Sequence, residues 1–202
     1  MNNLQITIKK FTVNDLLSNY QQQEKFMAYC KQCHKYNSRW SCPPLNFSAN
    51  EYLKPYPYIY LIGIQYFYDD ATIAAVNTTE KVTAFPIKTA KSLKKQISEI
   101  LLTAEKIFPQ TLSISAGGCD FCCRCSRIKN EPCRKPEKMR YSLDAFGIDL
   151  SQITQDILNI KLLWNSEKLP AYTTLIHGLL AKQSISQAQL EHLLDDHAPV
   201  LK

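Results

Sequence analysis

Hydrophobic positions along the chain keep two rhythms. Leu4 to Lys9 alternates as a short strand does, and within Val13 to Cys30 the residues Val13, Leu16, Leu17 and Tyr20 recur at helical spacing. Tyr58 to Tyr66, reading YIYLIGIQY after Pro55 and Pro57, is a continuous apolar run that predicts a strand buried on both faces. Lys81 to Ile87 predicts a further strand, with Pro86 near its end. From Ser92 to Phe108 the stripe Leu93, Ile97, Ile100, Leu101, Ala104, Ile107 and Phe108 predicts an amphipathic helix that Pro109 stops. Thr111 to Ala116 follows as a strand, and the strand, helix, strand order predicts a parallel pair.

Beyond a cysteine-rich middle, Ser142 to Phe146 reads as a short helix ended by Gly147, and Asp149 caps a helix with Leu150, Ile153, Ile157 and Ile160 on one face. Ala171 to Leu180 fits strand or helix, and His177 within it reads as a core histidine whose hydrogen bonds are met. Ser184 with Gln187 resembles a capping box for a terminal helix reaching about Leu194. These elements give an α/β fold, with mixed α+β as the alternative: a small mixed sheet covered by helices, carrying a cysteine-rich metal-binding loop region.

Composition sharpens this picture. The 202 residues are 45% hydrophobic, enough to bury a full core, so a single domain over 1–202 is expected without any need of metal to hold a tiny fold together. The opening MNNLQITIKKF has no apolar signal segment, and the longest apolar run, Tyr58 to Tyr68, is interrupted by Gln65 and too short for a bilayer. A cytoplasmic protein without a membrane span is expected, and there eight cysteines stay thiols unless a metal claims them.

Five of those cysteines fall in the segment 117–140, where Cys119, Cys122, Cys125 and Cys133 are spaced C-x2-C-x2-C-x7-C. Three thiolates at every third residue can wrap one centre, as in ferredoxin-type iron–sulfur loops, while the fourth closes it. Zinc also takes four cysteines, commonly as two C-x2-C knuckles, and is the alternative; soft thiolates disfavour calcium and magnesium. A second corner lies at 30–44, where Cys30, Cys33 and Cys42 are spaced C-x2-C-x8-C and end in Cys-Pro. Three cysteines leave one ligand position open, so this corner is expected to hold a second centre or complete a shared one, with His34 or Cys123 as substitute ligands. The same residues also spell C-x2-C-H, a haem attachment motif for which no export signal is visible, and a C-x2-C redox pair that is expected at a helix start rather than after a helix.

Charge tracks the cysteines. The net charge is +6, and between Cys119 and Arg140 seven basic residues stand against three acidic ones. Four thiolates around a +2 core leave about −2 for those residues to offset. A dedicated nucleic-acid surface is not expected, because no recognised binding motif accompanies the charge. G-x-G-x-x-G, Walker and G-x-S-x-G spacings are absent. Gly117 and Gly118 are read instead as a tight turn that brings backbone N–H groups to the thiolates.

CKQCHKYNSRWSCPP, AGGCDFCCRC followed by PCRKPEKMRYSLDAFGID, and the later AYTTLIHGLL together resemble a family of prokaryotic, cysteine-rich predicted metal-binding proteins of unknown function. The resemblance implies a metal or iron–sulfur site built from Cys30, Cys33, Cys42, Cys119, Cys122, Cys125 and Cys133, with Cys123 outside the motif. Two classes of function follow. One is an electron-transfer or auxiliary redox component carrying one or two 4Fe-4S clusters and meeting a redox partner protein. The other is a structural zinc protein whose basic face meets an acidic partner or nucleic acid.

Overall fold

The computed structural model of the chain describes residues 3–164 and 167–197. Strand β1 (Leu4–Thr12) ends where Thr12 becomes the cap of helix α1 (Val13–Tyr20), its hydroxyl accepting the Asp15 N–H at 3.0 Å. The helical pattern read through Cys30 is two helices. At the junction Gln21 bridges Ile148, and the Gln22 N–H donates to the Gly147 carbonyl at 2.8 Å, so that backbone is taken before α2 (Gln23–Gln32) begins.

Helix α3 (Ala49–Leu53) precedes β2 (Tyr58–Phe67), the strand expected from YIYLIGIQY. Helix α4 (Asp70–Ala75) leads into α5 (Thr79–Ile107). Here the strand expected at Lys81 to Ile87 is corrected: those residues are the first turns of α5. The Thr78 side chain caps the helix at Lys81, and Val82, Pro86, Thr89, Leu93 and Ile97 bury one continuous helical face. That packing overrides the local strand preference of Val-Thr-Ala-Phe.

Strand β3 (Thr111–Ile114), the 3-10 turns Ser126–Lys129 and Asp144–Phe146, the latter closed by left-handed Gly147, α6 (Leu150–Leu158) capped by Asp149, β4 (Tyr172–Ala181) and α7 (Gln187–Asp196) complete the described elements. The ambiguous AYTTLIHGLL is thus a strand. The sheet runs β1-β2-β4-β3 and every ladder is antiparallel. The expected parallel pair is therefore corrected: β2 and β3 run the same way, but β4 lies between them and takes the hydrogen bonds of both. The terminal cap is Ser186, whose hydroxyl accepts from the Gln189 N–H at 3.3 Å, whereas Ser184 accepts from Lys10 Nζ at 2.8 Å.

Both faces of the sheet are covered. Ile59 and Leu61 of β2 with Ile176 and Leu180 of β4 pack against Leu16, Phe146, Ile153 and Leu158 on one side. Tyr60, Ile62, Leu175 and Leu179 meet Leu93, Ile97, Leu101 and Leu190 on the other. His177 sits on this second side, fully buried, with the Ile114 backbone beside its ring but neither ring nitrogen in a well-formed hydrogen bond, so the expectation of a satisfied core histidine is corrected. Among the described residues no helix is long and apolar enough to cross a membrane.

Candidate metal centre

The edge strand β3 delivers the chain through Gly117, at φ +66°, into the longer cysteine loop. Its return is held to the same edge by a hydrogen bond of 2.8 Å from the Ser115 N–H to the Tyr141 carbonyl. Between those points Cys119, Cys122, Cys125 and Cys133 line one hollow, floored by Trp40 and Ser41 of the first cysteine segment. All four are half-buried. Cys123 does not line this hollow and is exposed. Among the described residues no group of three His, Cys, Asp or Glu side chains is arranged to hold a metal ion.

The first segment is built on the end of α2, with Cys30 in its last turn and Cys33 as its C-cap. Cys42, buried, lies farther along the following turn, and His34 is exposed. No disulfide joins any of the eight cysteines. The two segments press together at Gly118. A Cβ there would stand 2.7 Å from the Cys42 sulfur, so only glycine lets that sulfur reach the backbone before Cys119. This changes the reading of the glycine pair. Backbone support for the thiolates comes instead from within each loop, the Phe121 N–H serving Cys119 and the Lys35 N–H reaching the Cys33 sulfur at 3.5 Å.

Polar contacts lock the segments in register. The Ser41 hydroxyl accepts the Cys119 N–H at 2.7 Å, and Trp40 Nε1 donates to the Glu131 carbonyl at 3.0 Å. Arg127 reaches back with three bonds, to the carbonyls of Arg39 (2.8 Å), Cys42 (2.6 Å) and Pro44 (2.7 Å), while its guanidinium lies over the Trp40 ring. Asp120 anchors the start of the loop, with Oδ1 on Arg39 at 2.6 Å and Oδ2 on Lys94 at 2.7 Å; Lys94 and Arg39 also donate to the Gly118 and Cys119 carbonyls. Burial raises the Asp120 pKa, but its bond to Lys94 and the charges of Lys94, Lys35 and Arg39 outweigh this and hold it below its ordinary value.

The basic residues around the cysteines are thus largely committed to carbonyls and carboxylates. Arg134 holds the Arg124 carbonyl, Lys135 the Phe121 carbonyl at 3.1 Å, and Arg140 the Glu105 carboxylate at 2.5 Å. They act mainly as loop ties, and only secondarily as compensation for sulfur charge. None of Arg39, Ser41, Lys94, Asp120 or Arg127 stood out by motif. Lys94 alone left a legible trace, as a lysine on the otherwise apolar stripe of α5.

Burial raises the pKa of three of the thiols, Cys119, Cys42 and Cys30. Burial raises the Cys119 pKa, assisted by the charges of Cys133 and Asp120, while the Phe121 amide and Lys94 oppose the rise. Burial likewise raises Cys42, against the Ser41 hydrogen bond. Cys30 is pushed up to about 11 by burial and by the negative charges of Asp144, Cys42 and Cys33. Asp144 Oδ1 is itself buried without a hydrogen-bond partner. A carboxylate oxygen therefore stands near the second corner, a donor that cysteine spacing does not reveal.

The model of a family described as "Predicted metal-binding protein (DUF2284)" matches residues 17–179, a span that begins in α1, ends in β4 and includes both cysteine segments. No curated protein and no solved structure matches the chain.

Proposed function

Because the chain belongs to the DUF2284 family of predicted metal-binding proteins, we propose that Cys119, Cys122, Cys125 and Cys133 hold its metal as a 4Fe-4S cluster serving electron transfer or an auxiliary redox role. The carrying observation is that these four thiols line one hollow. The all-sulfur donor set fits a thiophilic centre, and three cysteines at every third residue match a ferredoxin-type loop more closely than the paired C-x2-C knuckles common at zinc.

Such a centre, when bound, supplies single-electron transfer; the rest of the work belongs to the protein. Ser41, Trp40 and Arg127 fix the loop's shape, so little ordering remains for the metal to impose. Asp120, Lys94 and Arg39 hold the first turn at the mouth of α5's buried face. Cys30, Cys33 and Cys42 are the second corner of the same region, Cys42 directly against Gly118, and Asp144 offers an oxygen beside them. A redox partner protein would approach on the exposed rim that carries Cys123 and Arg124.

Replacing one ligand tests the assignment. In Cys133→Ser, purified without oxygen, metal content should fall well below that of the unaltered chain while the circular dichroism stays native. Unchanged metal content would remove Cys133 from the ligand set and send the search for the fourth ligand to Cys42 and Cys123.

A further inference from the structure

Strand β3 pairs only with residues 178–181 of β4, so residues 172–177 of β4 run on without it. The space this leaves is bordered by Ala116 and Gly117 where the chain leaves β3, by Asp144 and Leu150, and by residues 162–164 beyond α6. It forms a cleft of about 260 Å³, which at about 30 Å³ for each water-sized group has room for about nine heavy atoms. Gly117 helps to keep it open: at φ +66° a Cβ there would meet nothing within 4 Å.

The cleft offers acceptors among apolar walls. Asp144 and Thr174 line it, and Asp144 Oδ1 and Thr174 Oγ1 are buried without a hydrogen-bond partner among the described residues. Both residues are only half-buried as a whole, and the terminal torsion of an aspartate is soft, so the carboxylate can turn an oxygen to a donor in the cleft. No Lys, Arg or His side chain lines the space among the described residues. Asp144 also places its negative charge beside the Cys30 and Cys42 thiols, so this wall favours a cation over an anion. Trp164 stands at the cleft with 75% of its surface exposed, alongside Leu163 and Ile176. An exposed indole next to a hole is apolar surface that a ring can cover, and its face attracts a cation as well.

We propose that this cleft binds a small arylalkyl ammonium ion, a primary amine on a short chain carrying one flat apolar ring, with its N–H groups on Asp144 and Thr174 and its ring against Trp164 and Leu163. An ammonium group has donors and no acceptor, which matches two oxygens that lack donors, and a bond to an ionised acceptor is the stronger kind. A carboxylate of the same size would meet Asp144 with like charge. The inference is independent of which metal the cysteines hold.

Isothermal titration calorimetry of the full chain with phenethylamine, and with phenylacetate as the anion of matching shape, tests it, with metal content measured on the same samples. Saturable binding of phenethylamine is expected, much tighter than that of phenylacetate and accompanied by a change in tryptophan emission. Asp144→Asn should weaken it roughly tenfold or more through loss of a charge-assisted hydrogen bond. Leu163→Lys, which puts a cation in the wall and leaves Asp144 untouched, should abolish it and covers the case in which Asp144→Asn loses metal or does not fold. No saturable phenethylamine binding, phenylacetate bound as tightly, or phenethylamine binding unchanged in either folded variant would overturn the proposal.

Discussion

Glu105 concentrates three interactions on one half-buried carboxylate: the Ser113 N–H at 2.8 Å, the Ser113 hydroxyl at 2.6 Å, and a two-pronged bond from Arg140 at 2.5 and 2.8 Å. Burial pushes its pKa up, but the Arg140 and Ser113 hydrogen bonds prevail and hold it below the ordinary value of 4.5. A carboxyl with a depressed folded pKa contributes stability above its unfolded value and loses it as pH falls through the folded one. Glu105→Gln should therefore cost about 3 kcal/mol at pH 7 by leaving Arg140 uncompensated. That difference should close as denaturation is repeated below pH ~4. A gap that stayed constant with pH would mean that the charge of Glu105 is not what matters. Such pairings were not legible in advance. Spacing identifies Cys119, Cys122, Cys125 and Cys133 because their partners are neighbours in the chain, whereas Arg140 meets Glu105 across 35 residues and Lys94 meets Asp120 across 26.

At the scale of elements, reading succeeded on the helical stripe of α5 and on the continuous apolar run of β2, left β4 open between strand and helix, and misread the first turns of α5. The apolar stripe from Leu93 to Ala104 and the caps at Asp149 and Gly147 formed where expected. β4 lost its alternation because Leu175 and Leu179 pack under α5 while Ile176 and Leu180 pack under α6, so strand and helix looked alike. The first turns of α5 read as a strand because the helix-forming cause, burial of Val82 against Tyr68, Val76 and Leu169, is tertiary. The two cysteine segments were expected to lie side by side, but the contact that joins them was hidden, since nothing local says that Gly118 faces Cys42. Gly118→Ala tests that contact. The added methyl, 2.7 Å from the Cys42 sulfur, must displace one segment from the other. Metal content should drop although every cysteine is retained, and proteolysis within 30–44 should quicken. Full metal content in this variant would show that the centre does not depend on close docking of the two segments.

Across the whole molecule, the antiparallel sheet acts as a stiff frame whose β3 edge carries the cysteine loop, with α2 bringing the second segment against it. The +6 net charge, which as bare composition invites an anionic partner, is partly absorbed into this frame: Arg127, Arg134, Arg140 and Lys135 tie backbone carbonyls and Glu105 around the cysteines. What the frame holds is decided most directly by counting iron and acid-labile sulfide per chain in protein purified without oxygen. The account predicts about four of each, or a multiple of four if the second corner is also filled, in a coloured protein. One zinc per chain with no labile sulfide would contradict it.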